Sequence, residues 1–223
     1  MEKKNKSSKV LTIILTVIIV GIIGTLGYIG YTILKERDTK QNYTDAANEF
    51  ESSVLGGDNS RSTGGNGTLN AINTTSDSRE KKYMEGYEIK GTIEIPKIDL
   101  KCAILDSTTK RSIEIAVAIM YPPGSDLNKP GNVVIYGHNY RNSLFFSRND
   151  ELELGDKIYI LDQEGVRLEY EIYNIFETTS TDTTFYTRTS EDTGGKCEVT
   201  LSTCTDDAAT TDRRLIVQAR EVE

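Results

Sequence analysis

Histidine and cysteine are scarce in this chain of 223 residues: there is one histidine, His138, and there are three cysteines, Cys102, Cys197 and Cys204. So few scattered ligands exclude a structural zinc cluster of the usual paired spacing. Positive charge is in deficit, with 26 Lys and Arg against 34 Asp and Glu and a formal net charge of -8. No basic stripe interleaved with aromatics occurs, so the electrostatic footprint of a nucleic-acid partner is missing and no nucleic acid is expected. The acidic balance also disfavours a strongly anionic substrate. An odd cysteine count leaves at least one thiol free even outside the cell.

What is present falls into segments. Residues 11–34, LTIILTVIIVGIIGTLGYIGYTIL, carry no charge, and at about 1.5 Å per residue a helix of that length crosses a bilayer with a little to spare. Lys35, Glu36, Arg37 and Asp38 follow it, with no small-residue cleavage site, so the run reads as an uncleaved anchor in membrane lipid. Lys3, Lys4, Lys6 and Lys9 precede it and Lys35, Arg37 and Lys40 succeed it, a slight bias toward an N-terminus inside. The expected organisation is a tail over 1–10, an anchor over 11–34, a stalk over 35–86 and one folded domain over 87–223. Within the stalk, 35–55 can form a short polar helix, and 56–82 is rich in Gly, Ser, Thr and Asn. With little to bury, the stalk is expected not to order against the domain.

From Tyr87 onward, short alternating apolar runs broken by turns point to an all-β barrel or sandwich. Strands are predicted at 88–95, 98–105, 132–137, 156–161, 166–176, 196–204 and 213–221, with helical turns around 109–118 and 143–150. Pro96, Pro122, Pro123 and Pro130 fall between these runs, as strand interiors require.

Side chains alternate faces along a strand, so parity sorts the cysteines. Ile98, Leu100, Cys102 and Ile104 form one apolar set, which puts Cys102 in the core. Cys197, Val199, Leu201 and Thr203 share one face of the next-to-last strand, and Glu198, Thr200, Ser202 and Cys204 share the polar one. Cys204 therefore points away from the core. A buried cysteine behaves as a small hydrophobe, whereas a partly exposed one in an electropositive setting ionises, so Cys204 is the candidate nucleophile. In the last strand Leu215, Val217 and Ala219 are the apolar set, leaving Arg214, Ile216 and Gln218 on the other face, where Arg214 can share a surface with Cys204. Taken alone, an exposed arginine reads as a solvated charge and a lone histidine as a surface residue.

Together these segments resemble the sortase family along nearly the whole of 87–221. GTIEIPKIDLKCAIL (91–105) is similar to the family's opening strands, and KPGNVVIYGHNY (129–140) to its Gly-Asn-x-Val-Ile-x-Gly-His element, whose histidine falls on His138. LFFSRNDELELGDKIYI (144–160) resembles the following helix and Gly-Asp turn. VTLSTC (199–204) matches the Thr-Leu-x-Thr-Cys signature, ending on Cys204, and RRLIVQA (213–219) matches the strand that carries the family's arginine. Of the adjacent pair, Arg214 is taken as that arginine, because it directly precedes the apolar run and shares the polar face. Thr-Leu-Ser-Thr-Cys and Gly-His-Asn are similar to class B members, although the insertion before the cysteine strand is shorter than theirs.

The resemblance implies an eight-stranded β-barrel outside the cell, tethered by a single span with its N-terminus inside. It implies catalytic roles for Cys204 as nucleophile, His138 as proton donor and Arg214 at the oxyanion, with Thr203 supporting the nucleophile or contacting substrate. The implied reaction cuts a surface protein between Thr and Gly of a Leu-Pro-x-Thr-Gly-like sorting signal and passes the acyl group to an amine of cell-wall precursor or pilin. No cofactor or metal is required. Asp182, Glu191 and Asp192, before the cysteine strand, offer the calcium ligands that some sortases use but read as solvated acids, and Asp206 and Asp207 would oppose a thiolate that they faced. Two rival readings use the same barrel: a cysteine hydrolase, and a non-catalytic adhesion or sensor ectodomain. Retention of Cys204, His138 and Arg214 together argues against the second.

Overall fold

A computed structural model describes residues 3–56, 81–120, 125–186, 188–205 and 212–222. Most of the Gly- and Ser-rich stalk, together with Asp206, Asp207, Pro122 and Pro123, lies outside the described residues. The chain forms two compact units, residues 1–39 and 40–223.

The first unit is the start of one long helix, α1 (Lys3–Leu55), which contains a stretch long and apolar enough to cross a membrane. Leu11, Ile14, Ile18 and Ile22 are each more than half exposed within it. The segment mixes β-branched residues and glycines, poor helix formers in water, but a bilayer forces every backbone group to pair internally, which a helix does. Its hydroxyls pair internally too: Thr16 donates to Thr12 O at 2.9 Å, Thr25 to Ile22 O at 2.9 Å and Thr32 to Ile29 O at 2.8 Å.

The second unit is a closed barrel. Its strands are β1 (Tyr83–Met84), β2 (Tyr87–Ile95), β3 (Leu100–Leu105), β4 (Val117–Ile119), β5 (Gly131–Tyr136), β6 (Lys157–Asp162), β7 (Arg167–Thr179), β8 (Cys197–Cys204) and β9 (Arg213–Glu221). They run in the order β1-β2-β3-β4-β5-β8-β9-β7-β6, and β6 pairs back onto β2. Eight strands therefore close, and the two-residue β1 is appended to β2. The closing seam pairs Gly91 with Asp162 and Ile93 with Ile160. Closure joins the two edges of the eight-stranded sheet and encloses a core of Ile93, Ile104, Ile135, Ile158, Ile160, Tyr170, Val199, Leu201 and Val217, all essentially inaccessible. The buried Tyr170 hydroxyl donates to Asn128 Oδ1 at 2.8 Å, so its polar end costs little.

Several elements depart from the expected ones. The strand predicted from residue 98 begins at Leu100, because Pro96–Ile98 forms a 3-10 turn and Asp99 sits at φ 52°. The region predicted as helical turns over 109–118 holds α2 (Ser112–Ile115) and then β4, the strand that completes the eight. The turns over 143–150 lead into a 3-10 segment at Asn149–Glu151.

The stalk expectation is corrected over residues 40–55, which pack on the barrel as the last part of α1. Tyr43, Ala47 and Phe50, spaced i, i+4 and i+7, are buried in the same core cluster as the strands or beside it. Burying the two aromatic rings contributes about 2 to 3 kcal/mol each. Polar contacts set the register: Lys40 pairs with Asp99 at 2.7 Å, Thr44 donates to Lys101 O at 3.1 Å, and Glu51 accepts from Lys101 at 2.7 Å and from Thr92 at 3.0 Å.

Candidate active site

The expected polar face of β8 is the outer face of the barrel, but it is not a solvent face. Glu198, Thr200 and Ser202 are at most 2% exposed. The segment between β7 and β8 covers them: Phe185 packs with Val134 and Ile216, and Arg188 bonds Glu198, which Arg220 of β9 also reaches, Nη2 at 2.6 Å. Thr200 donates to Asn132 Oδ1 at 2.8 Å. Of that face, only Cys204 at its end is partly open to solvent.

The β8–β9 register sets Cys204 opposite Arg214. Directly opposed residues present their side chains on the same face, and Arg214 Nη1 lies 3.4 Å from Cys204 Sγ. Arg213, by contrast, is exposed and pairs with Glu177 at 2.6 Å. The parallel β5–β8 pairing carries the loop after β5 to the same place. Gly137 N donates to Ser202 O at 3.2 Å, and Asn139 Nδ2 donates to Cys204 O at 3.1 Å. His138 lies between these two anchors. Gly137 is needed for the approach, since a Cβ there would sit 2.7 Å from the Phe146 ring.

His138 is half-buried and stacks on Tyr140 with ring centroids 4.7 Å apart. Burial lowers its pKa below the ordinary imidazole value, and Glu114 opposes that shift. The other two cysteines are inert by environment: burial pushes the Cys102 thiol up to about 12, and burial and then Glu221 push Cys197 up to about 11. Thr203 pairs with Leu215, is 2% exposed and faces away from the side that carries Cys204; its Oγ1 has no hydrogen-bond partner among the described residues. Asp182 and Asp192 accept hydrogen bonds from Thr184 and Thr189 in their own turns.

Register also defines what lies beside the thiol. One cross-strand line joins Thr178, Arg214 and Cys204; the adjacent line joins Phe176, Ile216, Ser202 and Tyr136. The Tyr136 and Tyr186 hydroxyls bond one another above it, so an apolar, partly aromatic floor adjoins the thiol and guanidinium. Sequence reasoning missed Asn139, Tyr140, Tyr136 and Tyr186. Asn139 and Tyr140 adjoin His138 in sequence, whereas Tyr186 sits in a polar loop with no periodicity to mark it.

A thiol beside a guanidinium and next to an imidazole-bearing loop is the set of groups that thiol-based acyl transfer requires. A family model for the sortase domain matches residues 93–222, and the chain belongs to the sortase family, whose members are cysteine transpeptidases. Over 122 residues it is 30% identical to Sortase A of Bacillus anthracis, covering 54% of each chain, so it spans about half the length of that curated relative. Among solved structures, Sortase A of Corynebacterium diphtheriae superposes with a TM-score of 0.54 at 30% identity, over 61% of this chain and 62% of that one. The Clostridium perfringens Sortase D5 transpeptidase gives 0.53 at 27%, over 60% and 79%.

Proposed function

We propose that the chain is a single-pass, membrane-anchored sortase, with residues 1–10 inside, 11–34 as anchor and the domain over 87–223 outside. Its substrates are surface proteins bearing a Leu-Pro-x-Thr-Gly-like sorting signal. Cys204 attacks the Thr carbonyl, Arg214 stabilises the oxyanion, and His138 protonates the departing Gly amine. The resulting thioester passes its acyl group to an amine of cell-wall precursor or pilin. The Cys204 sulfur–carbon bond forms as the Thr–Gly bond breaks and His138 gives its proton to the Gly amine; the incoming amine then displaces the thiolate as its amide bond forms, and its proton returns to His138. The observation that carries this reading is the 3.4 Å approach of Arg214 Nη1 to Cys204 Sγ.

Burial disfavours the imidazolium that donates to the amine, and Glu114 opposes that effect. Thr203 supports the placement of Cys204 from the inner face. The substrate chain would lie along Phe176, Ile216 and Tyr136, beside the thiol.

The test incubates the full chain in detergent with a fluorescent Leu-Pro-x-Thr-Gly-type peptide library and triglycine. Acceptor-linked product from wild type and none from Cys204→Ala is the expected result. Release of the free acid alone in the presence of acceptor would make it a hydrolase, and no cleavage of any peptide would remove the substrate assignment.

A further inference from the structure

Phe145 is the most constrained residue of the loop after β5. It is 2% exposed yet adopts φ 50°, a region that bulky side chains leave unless their surroundings hold them there. Its side chain lies in a run of rings. The Tyr43 ring, fully buried on the helix that follows the apolar segment, lies 5.4 Å from that of Phe145. The Phe145 ring lies 6.0 Å from that of Tyr140, and Tyr140 stacks on His138 at 4.7 Å. The backbone closes the same path, with Phe146 N donating to His138 O at 3.2 Å. Tyr140 is itself 46% exposed, with the His138 ring stacked on it and the Phe145 ring tilted against it.

We infer that Tyr43 is a positioning residue for His138, acting through Phe145 and Tyr140. The segment expected to be a passive stalk thus orients the acid of the reaction. The inference rests on the role proposed for His138. A ring removed at Tyr43 leaves space under Phe145, whose strained backbone relaxes into it. Tyr140 then loses its support, and the imidazole gains water and rotational freedom. A small displacement of a catalytic group costs about 10- to 100-fold in rate. Glu114 on α2 is the charged group that acts on the imidazole and Tyr140 in its own loop is the titratable group stacked on it, and neither is altered by the change.

His138 is the only histidine, so ring-labelled histidine in the full chain, held in detergent micelles, yields one NMR signal without assignment. Tyr43→Ala, Tyr43→Phe and Phe50→Ala are compared with wild type by that signal, its titration, thermal melting and steady-state kinetics. Phe50 is 2% exposed on the same helix but outside the run of rings, so its removal controls for lost stability. Tyr43→Ala is expected to move the signal, to raise its midpoint toward the ordinary imidazole value and to lower kcat about 10- to 100-fold with little change in KM. Tyr43→Phe should behave as wild type, and Phe50→Ala should lower the melting temperature while leaving the signal in place. Equal movement of the signal in Tyr43→Ala and Phe50→Ala, or no movement in Tyr43→Ala, overturns the inference. The ring signal reports the linkage even in a chain that transfers no acyl group, so failure of the proposed function and failure of this inference are separate results.

Discussion

The two ends of β8 each carry a cysteine, and the antiparallel partner β9 treats them oppositely. At one end Cys197 meets Glu221, whose Oε1 accepts from the Cys197 amide at 3.0 Å and whose charge adds to burial in holding the thiol protonated. At the other end Cys204 meets Arg214 at 3.4 Å. The strand, the residue type and the ladder are shared, so the two environments differ through position along β9 and through exposure. A carboxylate beside a thiol opposes its ionisation, as Glu221 does at Cys197.

The largest expected effect tests that contrast at the nucleophile. Cys204→Ala should lower acyl transfer by at least about 10³-fold, while Cys197→Ala leaves kcat/KM within about twofold, as measured by chromatography of acceptor-linked product. Comparable losses from both would erase the distinction. Next is the cation. Arg214→Ala should cost about 10²- to 10³-fold in kcat/KM, and Arg214→Lys should recover only part, because an ammonium keeps the charge but not the planar fork. Unchanged kinetics in Arg214→Ala would remove its role.

A smaller effect sharpens the comparison without substrate. Brief treatment of the native chain with iodoacetamide should label Cys204 alone, whereas Cys102, with a thiol near 12, and Cys197, near 11, react only after unfolding. Mass mapping of the labelled peptides checks this, and prompt labelling of Cys197 contradicts it. The smallest effect concerns His138 and stability. Its folded pKa lies below the unfolded value of about 6.5, so its contribution is fully present above that value and is lost as pH falls through the folded pKa. Denaturant melts of wild type against His138→Gln between pH 5 and 7 should show the acid-side loss in wild type only.

Much of this arrangement was legible in the sequence because strand parity is a local property. Alternation alone puts Cys102 inside and Cys204 on the face that Arg214 shares, and the structure places them so. Parity cannot say what covers a face, and the polar set of β8 turns out to lie under Phe185 and Arg188, which reach it from a loop with no periodic signal. The strand β4 was hidden for a different reason. At three residues inside the continuous apolar stretch from Ile115 to Ile119, it is too short to alternate. In 40–55 the stripe of Tyr43, Ala47 and Phe50 was present, but the surrounding charges made the average composition look like that of a solvated segment. The ring series ending at His138 has no sequence signature, because it joins residues from two segments that only the fold brings together.

The most direct test identifies which sulfur carries the acyl group. The full chain, incubated with a Leu-Pro-x-Thr-Gly-type peptide without acceptor and quenched in acid, is mapped by mass spectrometry before and after hydroxylamine. The expected result is a hydroxylamine-labile acyl adduct on Cys204, absent from Cys204→Ala and much reduced in Arg214→Ala. An adduct on Cys197 or Cys102, or transfer product formed with no adduct on Cys204, would contradict it.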